Sequence, residues 1–439
     1  MRLYSTKHQS PVVSFRQALL TGQAPDGGLY MPEELPAYYG EPDVVAGMEY
    51  SQFALDISIR LLESEISTRA MSEIIRQAYD FQPEIKKIDD STFCLELFHG
   101  PTFSFKDFGA QFMAKTMGYF IRNQQQQLTI LVATSGDTGS AVAHAFHNVE
   151  GIRVVMLYPS GQVSPLQEKQ LTTLGGNITV LEVEGTFDDC QALVKRAFAD
   201  ESIRQKINIT SANSINIGRL IPQSFYYGWA VSRLLALGLE NIVVCVPSGN
   251  FGNLTGGLFA QKMGLAVKKF IAAVNSNDVV PEYLHTGRYR PRPSQRTLSN
   301  AMDVGNPSNW ARIRELYHDD YHEIRRNIWS TSVDDKATIQ TIRQVYESFN
   351  YIIDPHTAVG FRAVAEFRDE FDGAQDQPVL ILSTAHAGKF HEIVKEALGQ
   401  KVNLPPGLAR VLELEKKTIR IQNNYNSLKE IVLQANRNI

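Results

Sequence analysis

Leu128-Thr129-Ile130-Leu131-Val132-Ala133-Thr134-Ser135-Gly136-Asp137-Thr138-Gly139-Ser140 is the stretch on which the fold turns. A short run of leucine, isoleucine and valine stops at a glycine-rich turn, and an alanine-rich segment follows. A strand-length apolar run bounded by glycine reads as a buried strand, and the segment beyond it as a helix. The pattern recurs downstream. Ile152–Tyr158 is closed by Pro159-Ser160-Gly161, and Asn177–Val183, Asn241–Val246 and Pro378–Ser383 are further strands. Arg219–Leu237 reads as one long helix, and Lys389–Leu398 as the helix after the last strand. Short buried strands alternating with helices predict an α/β fold with mainly parallel sheets and helices on both faces. In such sheets ligands bind beyond the carboxyl ends of the strands, where the loops gather.

Upstream, Tyr50–Glu63 and Ser67–Ala78 are amphipathic segments that follow the turn-rich Ala24-Pro25-Asp26-Gly27-Gly28, so residues 1–85 are expected to form a mostly helical unit. Residues 86–400 carry the α/β core. Leu404-Pro405-Pro406 marks a break, after which residues 401–439 are expected to form a helical tail from Leu408. The glutamine run Gln124–Gln127 reads as a solvated helix end.

With 439 residues, 43% of them hydrophobic, the chain can bury a substantial core and a cleft between lobes. Its formal charge of −4 and the lack of any Lys/Arg-rich run give no support for nucleic-acid or anionic-membrane binding. The longest apolar runs are strand-sized and the first ten residues are polar, so neither a membrane span nor a signal peptide is expected. Cys94, Cys190 and Cys245 are too scattered for a disulfide framework or a metal cluster, and a reducing cytoplasm is the expected compartment.

Four loops could carry chemistry. Pro247-Ser248-Gly249-Asn250-Phe251-Gly252-Asn253-Leu254-Thr255-Gly256-Gly257 follows a β-branched strand and opens a helix. Such a turn can point several amides at one anion, and the absence of Gly-Lys-Ser/Thr sets it apart from a nucleotide P-loop. It suits a phosphate monoester; the bland reading is a tight strand–helix turn. Thr134–Ser140 offers hydroxyls and amides to a carboxylate or phosphate, although Asp137 or Thr138 could simply cap the helix. Its glycine spacing does not match a dinucleotide fingerprint. In His99-Gly100-Pro101-Thr102-Phe103-Ser104-Phe105-Lys106-Asp107-Phe108-Gly109-Ala110-Gln111, Lys106 sits among aromatic residues at a helix start. Apolar surroundings favour the neutral, nucleophilic amine. The competing reading is a lysine whose stem lies on apolar surface while its charge reaches water. Ser383-Thr384-Ala385-His386-Ala387-Gly388-Lys389-Phe390 places a hydroxyl at a strand end, and His386 and His391 do not form a zinc-protease pattern, so no metal is expected.

Taken in order, these motifs resemble the threonine synthases, fold-type-II pyridoxal-phosphate enzymes related to the tryptophan synthase β chain. The resemblance also includes Ala24–Glu33, Ser214-Ile215-Asn216-Ile217-Gly218-Arg219, Asn300–Asn309 and Asp354-Pro355-His356-Thr357-Ala358. It implies a family-type N-terminal domain at 1–85 and a cofactor-binding catalytic core of two lobes at 86–400. It also implies pyridoxal 5′-phosphate as cofactor, with Lys106 as the Schiff-base lysine and Gly249, Asn250, Phe251, Gly252 and Asn253 as the cofactor-phosphate loop. Thr384 would face the pyridine nitrogen, where a neutral hydroxyl tunes the electron sink. Asp137 stands where many fold-type-II enzymes have asparagine near the cofactor 3′-oxygen, although aspartate is typical of the longer threonine synthases.

Thr134, Ser135 and Thr138 would meet the substrate carboxylate and phosphate, with Ser214 and Arg219 on the phosphate; Arg219 could equally be a helix-start arginine paired to a carboxylate. Ala387-Gly388 departs from the family's usual Pro-Ala. The implied reaction converts O-phospho-L-homoserine and water to L-threonine and phosphate, with Lys106 as base at Cα and proton shuttle. A related phospho-lyase yielding a 2-oxo acid would share these residues, and a non-catalytic phosphate-binding protein would need only the glycine loops. Oligomeric state is not legible, and neither are the roles of Asp303, Asn306 and His356.

Overall fold

The computed structural model describes residues 1–38, 42–122, 127–134 and 136–434, the side chains of residues 42 and 43 excepted. Leu128–Ala133 and Ile152–Pro159 are strands buried at every residue, as expected where helices cover both faces of a sheet. They pair in parallel at the centre of a five-stranded sheet in the order Ile419–Gln422, Ile178–Glu184, Ile152–Pro159, Leu128–Ala133, Asn208–Thr210. A second sheet of six strands runs Ile328–Ser332, Lys269–Val274, Val243–Pro247, Val379–Ser383, Thr92–Glu96, Glu84–Lys87. All its pairs are parallel except the last, where Glu84 lies opposite Glu96. The two mainly parallel sheets with flanking helices are the architecture that the alternating pattern predicts.

Four strands, Thr92–Glu96, Leu128–Ala133, Val243–Pro247 and Val379–Ser383, deliver the four motif loops at their carboxyl ends. No helix among the described residues is long and apolar enough to cross a membrane.

Several elements differ from the sequence reading. The first unit carries the expected helices, Tyr50–Leu62 and Thr68–Ala78, together with a small antiparallel sheet of Val13–Ser14, Arg2–Ser5 and Tyr30–Pro32. The helix expected over Arg219–Leu237 is two, Ile217–Leu220 and Gln223–Ala236. Pro222, which has no amide hydrogen and disfavours helical geometry in the residue before it, accounts for the break. The segment read as a helical tail holds helices Pro406–Glu413 and Tyr425–Gln434, and between them the strand Ile419–Gln422. That strand pairs in parallel with Ile178–Glu184 and completes the five-stranded sheet. Residues 124–126 of the glutamine run and residues 435–439 lie outside the described residues.

Candidate active site

From the strand Thr92–Glu96 the chain turns through His99–Phe105 into the helix Lys106–Ile121. The turn is stitched to the end of Val379–Ser383. The Phe105 amide donates to the Thr384 carbonyl (2.9 Å), the His386 amide to the Phe103 carbonyl (3.1 Å), and Ser104 bridges Ala385. Thr384 and Lys106 therefore line one cleft. The Lys106 ammonium lies 5.1 Å from the centre of the Phe105 ring and 3.5 Å from Asp137 Oδ2. Burial lowers the pKa of this amine, Asp137 opposes the shift, and the nearby charges of Lys389 and Arg219 reinforce it.

Asp137 opens the helix Asp137–Phe146. Its Oδ1 pairs with Lys389 Nζ at 2.9 Å and accepts from Gln167 Nε2 at 3.0 Å, which leaves Oδ2 turned to Lys106. Burial alone would raise this carboxyl, but Lys389 and Lys106 outweigh it and hold Asp137 ionised well below the usual carboxylate range. Lys389 is fully buried and donates also to the Thr102 carbonyl at 2.7 Å. The same Thr102 binds Asp107 by its amide (2.8 Å) and hydroxyl (2.6 Å). Asp107 is nonetheless pushed up to about 6 by burial, against the pull of Thr102 and Lys389.

Opposite lies the glycine loop between the strand Val243–Pro247 and the helix Gly252–Lys262. A Cβ on Gly249 would stand 2.5 Å from Met302 Cα, a backbone contact that only glycine permits. Phe251 takes the left-handed conformation (φ 61°) that starts the helix. Asn253 spends its side chain on the loop itself, donating to the Pro247 carbonyl (2.8 Å) and accepting from Ser248 Oγ (2.7 Å). The amides of residues 249–252 meet no acceptor among the described residues, so they are free to donate to an anion at the helix start. Asn250 Nδ2 donates to Ser214 Oγ at 2.5 Å, which joins this loop to the Ser214–Arg219 segment.

Arg219 is buried in the cleft wall. Its Nη1 donates to the Ala212 carbonyl (2.9 Å), its Nε has no partner among the described residues, and burial depresses its pKa to about 10. It is fixed from behind, because Gly109 of the lysine helix packs so closely that a Cβ there would lie 2.7 Å from the Arg219 carbonyl oxygen. A guanidinium so constrained, with unused donors, has the geometry to receive an anion.

The structure thus brings Lys106, Asp137, Thr138, Ser214, Arg219, Gly249, Asn250, Phe251, Gly252, Asn253 and Thr384 to one cleft. Thr134 is not among its lining residues. Its hydroxyl accepts from the amides of Gly139 (2.8 Å) and Gly136 (3.2 Å) and so shapes the turn. Ser135 lies outside the described residues.

Residues without a role in the sequence now have surroundings. His356 Nε2 accepts from the Ala301 amide (3.2 Å), and its Nδ1 lies 2.5 Å from Asp354 Oδ2. The ring thereby holds the turn whose Met302 backs Gly249. Asp303 is clasped by Thr297 Oγ1 (2.7 Å) and Asn275 Nδ2 (2.9 Å), and Asn306 accepts from Tyr289 (3.1 Å). Arg312, missed entirely, is fully buried and donates to the carbonyls of Tyr30, Ser214 and Ile215 and to Asn309 Oδ1. It ties the N-terminal unit to the Ser214 loop. Ala387-Gly388 leaves the local turn intact, since Ala387–Phe390 forms a 3₁₀ turn capped by His386 that carries Lys389 inward. Away from the cleft, Glu84, Glu96 and His99 bring ligand atoms within 4.8 Å of one another on the protein surface, where Glu96 is already hydrogen-bonded to His99 and Tyr351.

A lysine amine buried in a cleft, free amides in a glycine cradle and a hydroxyl at Thr384 fit a cofactor that carries an aldehyde, a phosphate and a pyridine nitrogen. Comparison with known proteins agrees. Residues 85–384 match the family described as pyridoxal-phosphate dependent enzyme, residues 2–79 the threonine synthase N terminus, and residues 357–432 the threonine synthase C-terminal family. The threonine synthase of Escherichia coli (strain K12) is 42% identical over 440 residues, covering 99% of each chain. Its homologue in Serratia marcescens is equally similar, at 42% over 99% of each chain. The crystal structure of pyridoxal-phosphate-bound threonine synthase from Brucella melitensis superposes with a TM-score of 0.92 at 33% identity, covering 100% of both chains.

Proposed function

Since the chain belongs to the threonine synthase family of fold-type-II pyridoxal-phosphate enzymes, we propose that its cleft converts O-phospho-L-homoserine and water to L-threonine and phosphate. It is a lyase of threonine biosynthesis, and pyridoxal phosphate is its cofactor. The observation that carries the substrate reading is the pairing, in one cleft, of a buried amine at Lys106 with a buried arginine that has unused donors, Arg219.

Lys106 would hold the cofactor, with the cradle of Gly249, Asn250, Phe251, Gly252 and Asn253 for its phosphate and the Thr384 hydroxyl for its ring nitrogen. When bound, pyridoxal phosphate supplies an electron sink that acidifies the substrate Cα–H and Cβ–H. Lys106 Nζ, favoured as the neutral amine by burial, takes the proton from Cα and later returns one. Asp137 Oδ2 orients that amine. Ser214 and Arg219 bind the substrate phosphate, and the arginine offsets the charge that develops as the Cγ–O bond breaks. Thr138, in the first turn of the helix Asp137–Phe146, meets the substrate carboxylate, with Thr134 shaping the turn behind it. For the atoms to balance, a proton leaves Cβ as phosphate leaves Cγ, Cγ gains a proton to become the methyl group, water gives its hydroxyl to Cβ, and Cα regains its proton.

Residues 1–85 pack into the same hydrophobic core as this catalytic region, and the Tyr30 carbonyl is held by Arg312. The three cysteines are free and buried, in keeping with a reducing cytoplasm.

The test is product analysis. Purified protein loaded with cofactor should release phosphate from O-phosphohomoserine in equal amount with threonine, and Lys106→Ala should abolish both. A 2-oxo acid as the organic product would instead assign the related phospho-lyase activity.

A further inference from the structure

Lys389 is fully buried, yet it lies outside every anion-binding role described above. Its ammonium has two partners, Asp137 Oδ1 at 2.9 Å and the Thr102 carbonyl at 2.7 Å. A lysine is held in such a place only when its charge is compensated, because an unpaired buried ammonium costs several kcal/mol, roughly the Born-type penalty left after relaxation. The compensation is geometrically specific. Lys389 and Gln167 Nε2 together occupy Oδ1 of Asp137, so the carboxylate cannot rotate freely and Oδ2 remains toward Lys106 at 3.5 Å. We propose that Lys389 is a positioning residue for Lys106, acting through Asp137 to fix the direction and charge of the carboxylate that governs the protonation of the Lys106 nitrogen.

The neighbourhood supports this direction of influence. Lys106 is faced by Asp137 from the helix Asp137–Phe146, by Lys389 from the turn Ala387–Phe390, and by Arg219. Asp137 is faced by Lys389, Lys106 and His356. The charge of Lys389 is felt also by Asp107, His144 and His386. Two lysines thus share one carboxylate. Removing Lys389 takes a like charge from Lys106 and leaves it as the carboxylate's remaining lysine partner. Both effects favour the protonated nitrogen at Lys106. Removing the Asp137 carboxylate acts in the opposite sense, since two cations then face each other without an anion.

The inference rests on the assignment of Lys106 as the cofactor-linked lysine. It is tested on the loaded enzyme by absorbance, without turnover, because the visible band of the bound cofactor follows the protonation of the nitrogen at Lys106. Lys389→Met should raise the midpoint of this spectral titration by about one pH unit or more, the usual size of a charge effect at ion-pair distance. Lys389→Arg, which keeps the charge, should stay closer to wild type than Lys389→Met does. Asp137→Asn should lower the midpoint. Within the accessible window of about pH 6 to 10, the protonated fraction read from the band should rise in Lys389→Met and fall in Asp137→Asn relative to wild type.

Circular dichroism establishes which variants fold. Should Lys389→Met fail to fold, Asp137→Asn decides alone. Folded variants whose spectra titrate with wild type would overturn the inference while leaving Lys106 as the cofactor lysine. A wild-type protein that takes up no cofactor would overturn the Lys106 assignment, and this inference with it.

Discussion

Arg219→Met separates the two things a buried arginine can do. Among the described residues the guanidinium makes one hydrogen bond, to the Ala212 carbonyl, and its Nε makes none. Methionine has a similar length and no charge. Its introduction strands the Ala212 oxygen, at a cost of about 1–3 kcal/mol for an unsatisfied buried acceptor. It also removes the desolvation penalty of a guanidinium lacking an ionic partner, which is of the same order, about 1–4 kcal/mol. The unfolding free energy should therefore change by no more than about 3 kcal/mol in either direction. Activity should behave otherwise. Two charge-assisted bonds to a phosphate that is losing its ester bond are together worth roughly 3–6 kcal/mol, a loss of about a hundredfold to ten-thousandfold in kcat/KM. Chemical denaturation and steady-state kinetics on the same preparation measure both quantities, and Arg219→Lys, lacking the planar fork, should recover part of the activity at most. A folded Arg219→Met enzyme with kcat/KM within tenfold of wild type would refute the phosphate role.

Gly249→Ala should loosen the cofactor cradle, because the new Cβ meets backbone at Met302 and one of the two segments must yield. Weakening of pyridoxal-phosphate affinity by at least about tenfold is expected with a stability loss of about 1–3 kcal/mol, read by cofactor titration and by melting; unchanged affinity would mean that the loop does not hold the cofactor. Asp107→Asn probes a pH effect. An acid whose folded pKa is raised to about 6 keeps its proton more tightly when folded, so its contribution to stability is present below its ordinary value near 4 and is lost as pH rises through about 6. Wild type should lose about 3 kcal/mol across that window relative to Asp107→Asn, and parallel stability curves for the two proteins would contradict the burial effect.

The strands were legible because runs such as Leu128–Ala133 and Ile152–Pro159 are buried on both faces and therefore continuously apolar. Ile419–Gln422 was not, since an edge strand reading Ile-Arg-Ile-Gln with a single buried residue lacks that signature. The N-terminal sheet escaped for a related reason, its strands being two to four residues long. The site was legible as four separate loops, each with an ordinary alternative reading. What remained hidden was which charges face inward. Arg312 and Arg314 lie two apart in Trp-Ala-Arg-Ile-Arg-Glu-Leu, yet the first is fully buried on carbonyls while the second pairs with Asp319 at the surface. Lys389 was likewise read as part of a helix. Its inward course follows from the 3₁₀ turn at Ala387–Phe390, which local composition does not specify.

These buried charges share one physical cause. Lys106, Lys389 and Arg219 face Asp137 and Asp107, so cations exceed carboxylates in a region from which water is largely excluded. Exclusion of water lowers the affinity of the Lys106 nitrogen for its proton, and the same exclusion leaves Arg219 Nε without a partner. A drier cleft would strengthen both properties and make the empty cleft less stable; a wetter one would relieve the strain and weaken the base and the anion site together. Asp137 allows the compromise. One carboxylate divided between Lys389 and Lys106 compensates enough charge for the cleft to fold, and leaves enough uncompensated for phosphate and carboxylate groups to be the counterions that complete it.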